Sequence, residues 1–215
     1  MATWLSMTNE VLSRLRESQV ATVSATDYST LIGRFINDAK RQVEDAWNWD
    51  ALSTTITLPT VAGTTTYTLT GSGIRQRDIT VNDSSNQATL RNVPIQWILN
   101  QQQLSTVQSG SPVYFAWNGT DGTDSKVEIY PTPDGAYSLK FNMVVPQVNL
   151  TADADVITVP SEPVVMGAYA RALAERGEDG GLASSEAYGL FKSILADYIA
   201  LESNRFIEND VFVAC

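Results

Sequence analysis

Reactive side chains are few in this sequence, and one common type is missing. The 215 residues contain no histidine and a single cysteine, Cys215. Because Ser-His and Cys-His nucleophiles need an imidazole base, both kinds of hydrolase are excluded, although a Ser-Lys pair remains open. The same composition argues against a zinc site and excludes an internal disulfide. We therefore expect a protein that needs no cofactor and that folds in a reducing cytoplasm.

Three further patterns could indicate a calcium site, a phosphate-binding loop or a glycosidase, but each lacks features that the function requires. Asp121 and Asp124 in "DGTDSK" could hold calcium, but the spaced ligands and distal glutamate of a calcium loop are absent, which favours a turn. The "GSG" of residues 71–73 lacks the lysine and the helix of a phosphate-binding loop. Paired carboxylates could cleave glycosides, yet no two acids stand out as the pair that this reaction needs.

The charge of the chain is acidic and uneven. There are 24 acidic and 14 basic residues, which give a net charge of -10. Residues 151–215 hold 11 acids and 4 basic residues, whereas residues 53–150 hold 6 and 5. A protein that grips nucleic acid needs clustered Lys and Arg to displace counterions, so a DNA-binding surface is not expected. Solubility and a solvated helix face are the simplest explanation of the acidity.

The N-terminal region is predicted to be helical. Apolar spacing predicts a short helix that ends near Glu17 and then a long helix from Tyr28 to Trp47, which begins at a capping box formed by Ser24 and Asp27. The polar residues of the long helix are predicted on the face opposite its apolar stripe: Arg34, Asp38, Lys40, Arg41 and Glu44. Neither a membrane helix of about 20 apolar residues nor a secretory signal is expected.

The C-terminal region is predicted to be helical as well. Ser161 is the predicted N-cap of a helix that stops at Gly177, and a last helix extends to Leu201. A rigid extended linker, "TADADVITVPSEP", precedes these helices. Helical stripes must be buried against something, and the simplest arrangement packs the first pair against the second as a four-helix bundle.

Between the helices the apolar period changes to two. About seven short antiparallel strands are predicted, with hairpins around "PTVAG" and "DSSN" and a short helix in "PIQWILNQQQL". Such strands favour a β-sandwich or an open barrel. The predicted fold class is therefore α+β: a four-helix bundle with an inserted antiparallel β-sandwich or barrel lobe and an extended C-terminal tail.

Four parts follow from this order of elements. The predicted boundaries are 1–52 and 151–203 for the two halves of the bundle, 53–150 for the β domain and 204–215 for the tail. Trp47 and Trp49 lie where the helical part meets the β part, and large rings suit the sealing of such a junction. A carbohydrate-stacking platform is the alternative for these two rings.

Several phrases in a fixed order carry a family resemblance. A long helix ends in a Trp-containing phrase, and "TTITLPTVAGTTTYTLT", "YPTPDGAYSLKF" and, after "VPSEP", the helix "MGAYARALAERGED" follow. In this order the sequence resembles the head-to-tail adaptor proteins of tailed bacteriophages, the tail tubular protein A-like group. The resemblance covers about Thr8 to Leu201, and the order of the phrases carries more weight than any one of them.

The resemblance implies structural rather than catalytic work. Such adaptors form a ring, usually of twelve copies, beneath the portal protein at the capsid vertex. The ring extends the DNA channel and offers a platform to the next tail component, a nozzle or a stopper. Genomic DNA passes through without specific binding, and no membrane is involved. The protein would be made in the host cytoplasm and reside in the virion at the head-tail junction.

Three groups of residues acquire a role under this resemblance. The C-terminal segment of such adaptors typically docks on the portal, and its apolar residues here are Phe206, Ile207, Val211, Phe212 and Val213. The alternative is that this tail folds back on its own helices. The candidate acids of a negative channel wall are Glu175, Glu178, Asp179 and Glu186. A closed ring also needs two complementary patches on each subunit, for which the Gln101–Gln103 run and the strand edges are candidates.

The rival interpretation is a binding module whose β-sandwich grips carbohydrate or another phage protein. Its platform would consist of Trp97, Tyr114, Trp117 and Tyr130. Because neighbouring strand residues such as Tyr114 and Phe115 point to opposite faces, half of these aromatic rings must face the core. A virion-associated cell-wall hydrolase is the third possibility.

Overall fold

The computed structural model describes residues 2–103, 106–177 and 181–205, and the chain divides into two compact units. The first unit combines Met1–Ala51 with Gln147–Cys215, and the second is Leu52–Pro146. The described residues form five α-helices and seven β-strands, so the α+β class is confirmed.

The first unit is helical. It contains α1 (Trp4–Arg14), α2 (Asp27–Ala46), α4 (Ser161–Arg176) and α5 (Leu182–Ser203), whereas α3 (Ile95–Gln102) belongs to the second unit. Helix α4 contacts the other three helices of its unit, and α1 also contacts α2. The buried apolar residues at these contacts include Met7, Val11, Leu12, Ile32, Ile36, Val43, Val164, Val165 and Phe191. The predicted stripes of α1, α2 and α4 therefore do face one another.

The N-terminus of α2 is capped two residues later than predicted. Thr26 is the N-cap: its hydroxyl accepts a hydrogen bond from the Ser29 amide, and the Ser29 hydroxyl accepts one from the Thr26 amide, both at 3.0 Å. Ser24 lies instead within a short 3-10 turn, and Asp27 is already the first helical residue. The box predicted at Ser24 and Asp27 is therefore wrong, although the helix itself is confirmed.

The two ends of α4 differ in how well the sequence predicted them. Ser161 is the first helical residue and follows Pro160 at the N-cap, so the prediction that Ser161 caps the helix is wrong. Gly177 does end the helix. Its φ of 63° lies in the left-handed region that favours glycine, and its amide donates to the Leu173 carbonyl at 3.1 Å.

Helices α1 and α2 approach each other closely at Gly33. A Cβ atom at this position would lie 2.6 Å from a methyl carbon of Val23 and 2.8 Å from the indole of Trp4. The same indole donates a hydrogen bond to the Gly33 carbonyl at 3.2 Å. Because glycine has no Cβ atom, position 33 leaves space for the Trp4 indole, which connects α1 to α2.

The second unit is built on one seven-stranded sheet. Its strands are β1 (Ser53–Pro59), β2 (Thr66–Thr68), β3 (Arg77–Asp83), β4 (Ala88–Asn92), β5 (Tyr114–Thr120), β6 (Ser125–Tyr130) and β7 (Ser138–Val144). Their order across the sheet is β1-β7-β3-β4-β5-β6-β2. Neighbours are antiparallel except β4 and β5, which pair in parallel through Arg91 with Tyr114 and Asn92 with Phe115. The expectation of a purely antiparallel lobe is therefore wrong at this one pair.

The sheet curls around one main core instead of forming two separate sheets. All seven strands or the residues next to them contribute to one buried cluster: Leu58, Leu69, Val81, Leu90, Phe115, Val127, Ile129, Leu139, Phe141 and Met143. A smaller cluster of Ile98, Ala116 and Tyr130 lies under α3. The "DSSN" hairpin between β3 and β4 is confirmed by the pairing of Val81 with Leu90.

The hairpin predicted around "PTVAG" is wrong. Strand β1 pairs with β7 and β2 pairs with β6, at opposite edges of the sheet. The intervening segment bonds instead to the segment before β7: the Thr60 amide donates to the Tyr137 carbonyl and the Gly63 amide to the Pro133 carbonyl. Strand pairing between distant segments has outweighed the local turn signal.

Two glycines on helices provide a matched test of this packing. We expect Gly33→Ala to destabilise the protein by about 1–3 kcal/mol, because the added methyl overpacks Trp4 and Val23. Gly189→Ala in α5 meets no atom within 4 Å, so the better helix propensity of alanine should stabilise by about 0.5–1 kcal/mol. Urea unfolding followed by circular dichroism measures both, and equal effects of the two changes would contradict the close contact at Gly33.

Candidate functional site

A buried ion pair on α2 binds the chain where it returns from the second unit. The Lys40 ammonium lies 2.9 Å from Glu44 Oε1, and both side chains are buried. The ammonium also donates to the carbonyls of Gln147 at 2.7 Å and Val148 at 3.1 Å, while the Gln147 amide donates to Glu44. All three protons of the ammonium therefore have acceptors.

Further hydrogen bonds extend this attachment along α2. Asn37 accepts from the Leu150 amide at 2.8 Å and donates to the Leu150 carbonyl at 3.0 Å. In the segment that precedes the second unit in sequence, the Trp49 indole donates a hydrogen bond to the Val43 carbonyl at 2.7 Å. We name this set the α2 clasp: Asn37, Lys40, Glu44 and the residues 147–150 that they hold. The sequence did not indicate this clasp, because the spacing of apolar residues in α2 predicts Lys40 and Glu44 on its polar face.

The two tryptophans at the sequence boundary differ in position. Trp49 is buried against its own unit, and Trp47 is the half-buried residue that ends α2. The predicted role of both rings as a seal between the two units stays a prediction. The described contact of Trp49 attaches the segment after α2 back to that helix.

An apolar cleft of about 780 Å³ opens on the surface of the first unit. It lies between the segment before α4 and the last turns of α5. The residues that line it include Trp49, Val156, Ile157, Val159, Pro160, Tyr198, Leu201, Glu202 and Arg205. We name it the C-terminal cleft. Its volume falls within the roughly 300–1,000 Å³ range of clefts that bind ligands.

Hydrogen bonds connect the elements that form the walls of the C-terminal cleft. Glu202 accepts from the Asp50 amide at 2.9 Å, and its other carboxylate oxygen pairs with Arg205 at 3.0 Å. The Tyr198 hydroxyl donates to Glu162 at 2.9 Å, and this bond raises the pKa of the phenol. These bonds tie α5 to the segment after α2 and to the first turn of α4, so the cleft is preformed.

The predicted linker forms one wall of this cleft and is paired with the N-terminus of the chain. The Trp4 amide donates to the Asp155 carbonyl at 2.8 Å, and the Ile157 amide donates to the Ala2 carbonyl at 3.2 Å. The alternation in "DVITVP", which buries Ile157 and Val159 but exposes Val156, is the signal that could have indicated this pairing.

Helix α5 has an unusually exposed apolar surface. Only Ala187, Phe191 and Glu202 of its 22 residues are buried. Leu182, Leu190 and Leu201 are 67%, 56% and 65% exposed. A helix with apolar residues on more than one face normally buries each of those faces against other protein atoms. This surface is therefore a candidate contact site for another protein or another copy.

The candidate channel acids are only partly described. Glu175 and Glu186 are exposed, at the end of α4 and near the start of α5. Glu178 and Asp179 lie outside the described residues. The neighbouring Arg176 is engaged within the unit: it donates to the Tyr28 hydroxyl at 2.8 Å and to Glu17 at 2.5 Å, and these contacts raise the pKa of the guanidinium.

The predicted tail residues are not placed by the structure. Phe206, Ile207, Val211, Phe212 and Val213 lie outside the described residues. The last described residue is Arg205, which lines the C-terminal cleft.

The aromatic residues of the rival binding platform are divided between two packing clusters. Trp97 packs on Tyr114 and Tyr130, with ring centroids 4.8 and 5.6 Å apart. Trp117 packs instead on Phe115 and Phe141 and donates to Asp78 at 3.2 Å. The prediction that Tyr114 and Phe115 face opposite sides is confirmed. Within each cluster the rings pack against one another at tilted or edge-on angles, which does not favour an open platform for sugars.

The suspected calcium loop uses its carboxylates on its own backbone. Asp121 accepts from the amides of Thr123 and Asp124, and the bond from Asp124 contributes most to lowering its pKa. Asp124 in turn accepts from the Gly71 and Gly73 amides, both at 3.0 Å. The turn interpretation of "DGTDSK" is thus supported, and the "GSG" loop binds a carboxylate of the same chain.

Glu128 is a buried carboxylate in the second unit with neutral partners. It accepts hydrogen bonds from Thr66 at 2.6 Å, Gln102 at 2.7 Å and Asn118 at 3.2 Å. Burial raises the pKa of Glu128, but these bonds, with one from Thr65, outweigh burial and lower it overall. The carboxylate thereby ties α3 to the sheet.

Residues 2–103, 106–177 and 181–205 contain neither a membrane-spanning helix nor a metal-binding cluster. No helix there is both long and apolar enough to cross a membrane. No cluster of three or more Cys, Asp or Glu side chains there could hold a metal ion.

Comparison with known protein families identifies the chain. The model of the SU10 adaptor protein family matches residues 2–209, nearly the whole length. The chain belongs to the SU10 adaptor protein family. The resemblance to phage head-to-tail adaptors is thereby confirmed. No curated protein matches this adaptor.

The α2 clasp can be tested by removing one charge. We expect Lys40→Met to destabilise this adaptor by about 3–5 kcal/mol, because it leaves the Glu44 carboxylate buried without its cation. Arg34→Met, on the same helix and exposed, should change the unfolding free energy by less than about 0.5 kcal/mol. The double change Lys40→Met with Glu44→Leu should recover only part of the loss, because it removes the lone buried charge but also removes the partners of the Gln147 and Val148 backbone groups. Urea unfolding provides the measurement, and equal losses for the two single variants would refute the clasp.

The acid sensitivity of the second unit should depend on Glu128. Because the folded pKa is lowered, the stabilisation by this carboxylate is present above the unfolded pKa of about 4.5 and is lost as the pH falls through the folded value. Glu128→Gln should therefore destabilise at pH 7 by about 1–3 kcal/mol and flatten the loss of stability below pH 4.5. The control Glu175→Gln changes an exposed carboxylate. Thermal unfolding from pH 3 to 7 measures both, and an unchanged profile in Glu128→Gln would contradict this role.

Proposed function

We propose that this adaptor assembles as a ring, of about twelve copies, beneath the portal of a tailed phage, and that the ring extends the DNA channel and receives the next tail component. The family match over residues 2–209 carries the proposal. The role is structural rather than enzymatic, and the protein resides in the virion at the head-tail junction after synthesis in the host cytoplasm.

The surface of α5 supports the assembly step. A closed ring joins two different patches of each subunit, so a folded subunit must expose apolar area before assembly. Leu182 and Leu190 are more than half exposed on α5 and are candidates for one patch. The Gln101–Gln103 run and the free edges of β1 and β2 stay candidates for the other.

The acidity of the chain supports the passage of DNA without binding. A net charge of -10 disfavours the counterion release that holds proteins on DNA. The exposed Glu175 and Glu186 are the described candidates for the wall of the channel, together with Glu178 and Asp179 of the predicted set. Genomic DNA would pass through such a ring with little friction.

The domain organisation keeps its predicted form within this proposal. Residues 1–52 and 151–203 would form a helical bundle around which the ring is built, 53–150 the β-sandwich or barrel lobe, and 204–215 the tail. The tail would anchor the ring on the portal through its apolar residues: Phe206, Ile207, Val211, Phe212 and Val213.

Mass measurement by light scattering tests the proposal. The full chain, mixed with the portal ring of the same phage, should give a single species whose added mass is a whole number of adaptor subunits. Phe212→Asp should reduce portal association at least about tenfold, because it places a charge in an apolar contact. The matched control is Val148→Asp, since Val148 is 84% exposed on the first unit.

Each outcome has a definite meaning. If the wild-type chain does not join the portal, the ring proposal fails for that pair of proteins. If both variants join the portal as well as the wild type does, the ring stands but its anchor is not Phe212.

A further inference from the structure

The C-terminal cleft is lined by apolar side chains both on its rim and in its interior. Leu201 is 65% exposed and Val156 is 38% exposed on its rim, and Trp49, Ile157 and Val159 line its interior. Exposed apolar side chains around a concave apolar surface mark a place where another apolar group binds. Because the walls are already fixed by hydrogen bonds, an occupant meets a preformed surface.

The described part of the chain ends at this cleft, and the sequence that follows it is partly apolar. Arg205 lines the cleft and is the last described residue before the ten residues 206–215. Phe206 and Ile207 follow immediately, and residues 211–215, "VFVAC", carry no charged side chain. Ten residues span up to about 33–36 Å when extended, which is ample for a segment that turns back along the last turns of α5.

The charges at the rim are compatible with such an occupant. Glu202 and Arg205 pair with each other, and Glu202 also accepts from the Asp50 amide. An apolar segment therefore does not have to remove water from an unpaired charge. The acids of the tail, Glu208 and Asp210, lie between its two apolar groups in sequence.

We propose that in the free protein the C-terminal cleft binds the C-terminal segment 206–215 of the same chain. A short tether gives a tethered segment an effective concentration in the millimolar range, so the chain's own tail outcompetes that of a second copy. The inference goes beyond the proposed function because it concerns the protein before assembly. If the proposed function and this inference both hold, the tail leaves the cleft when it binds the portal. Until then the tail covers the apolar cleft.

The single cysteine of the chain makes this proposal testable. Cys215 is the last residue of the tail, so a second cysteine placed in the cleft should form a disulfide with it. Two cleft variants, Leu201→Cys and Val156→Cys, are compared with two matched controls. Ala200→Cys has almost the same tether length but does not line the cleft, and Val148→Cys replaces another exposed valine of the same unit.

The rate of disulfide formation in oxidised glutathione is followed on non-reducing gels and by mass spectrometry, with the full chain and no portal. We expect the intramolecular disulfide to form at least about tenfold faster in a cleft variant than in its control. Replacing both Phe206 and Phe212 by serine in the Leu201→Cys background should remove this advantage.

Two results would overturn the proposal. Equal rates in cleft variants and controls would mean that the tail does not occupy the cleft. A disulfide-linked dimer in place of the intramolecular product would assign the cleft to the tail of a second copy. Because the portal is absent from the experiment, its outcome is independent of whether the adaptor joins the portal.

Discussion

The buried pair of Lys40 and Glu44 is the constraint on which the first unit depends. An ion pair removed from water is stable only when its remaining hydrogen-bonding groups are satisfied. Here the Lys40 ammonium donates to the carbonyls of Gln147 and Val148, and Glu44 accepts from the Gln147 amide, which requires the returning chain to lie against α2. The two parts of the first unit are separated in sequence by the 95 residues Leu52–Pro146, and this contact joins them into one helical unit.

The C-terminal cleft follows from the same closure. Once residues 147–150 are fixed on α2, the chain continues past the N-terminus, where it pairs with Ala2 and Trp4, and forms a wall of the cleft before α4 begins. The opposite wall is the end of α5, which Glu202 attaches to the segment after α2. Three separate parts of the sequence thus form the C-terminal cleft, and one of its lining residues, Arg205, directly precedes the tail in sequence. An adaptor that must contact other virion proteins gains a preformed apolar surface from this arrangement.

The second unit satisfies its polar groups internally. Glu128, Asp124 and Asp121 are each occupied by donors of the same unit, and the aromatic rings pack into two clusters on the two faces of β5. The features that could have indicated a calcium loop or a sugar platform are explained by folding.

The sequence by itself determined the elements with strong local signals. The period of α2, the glycine stop of α4, the β3–β4 hairpin and the family were all predicted, because each depends on neighbouring residues or on the order of phrases. Tertiary structure alone decided the partners of β1 and β2, the parallel pair of β4 and β5, and the burial of Lys40 and Glu44. These depend on residues between about 20 and 110 positions apart, and local patterns carry no information about which distant groups will satisfy them. The C-terminal cleft belongs to the second class, since its walls meet only after the chain has closed.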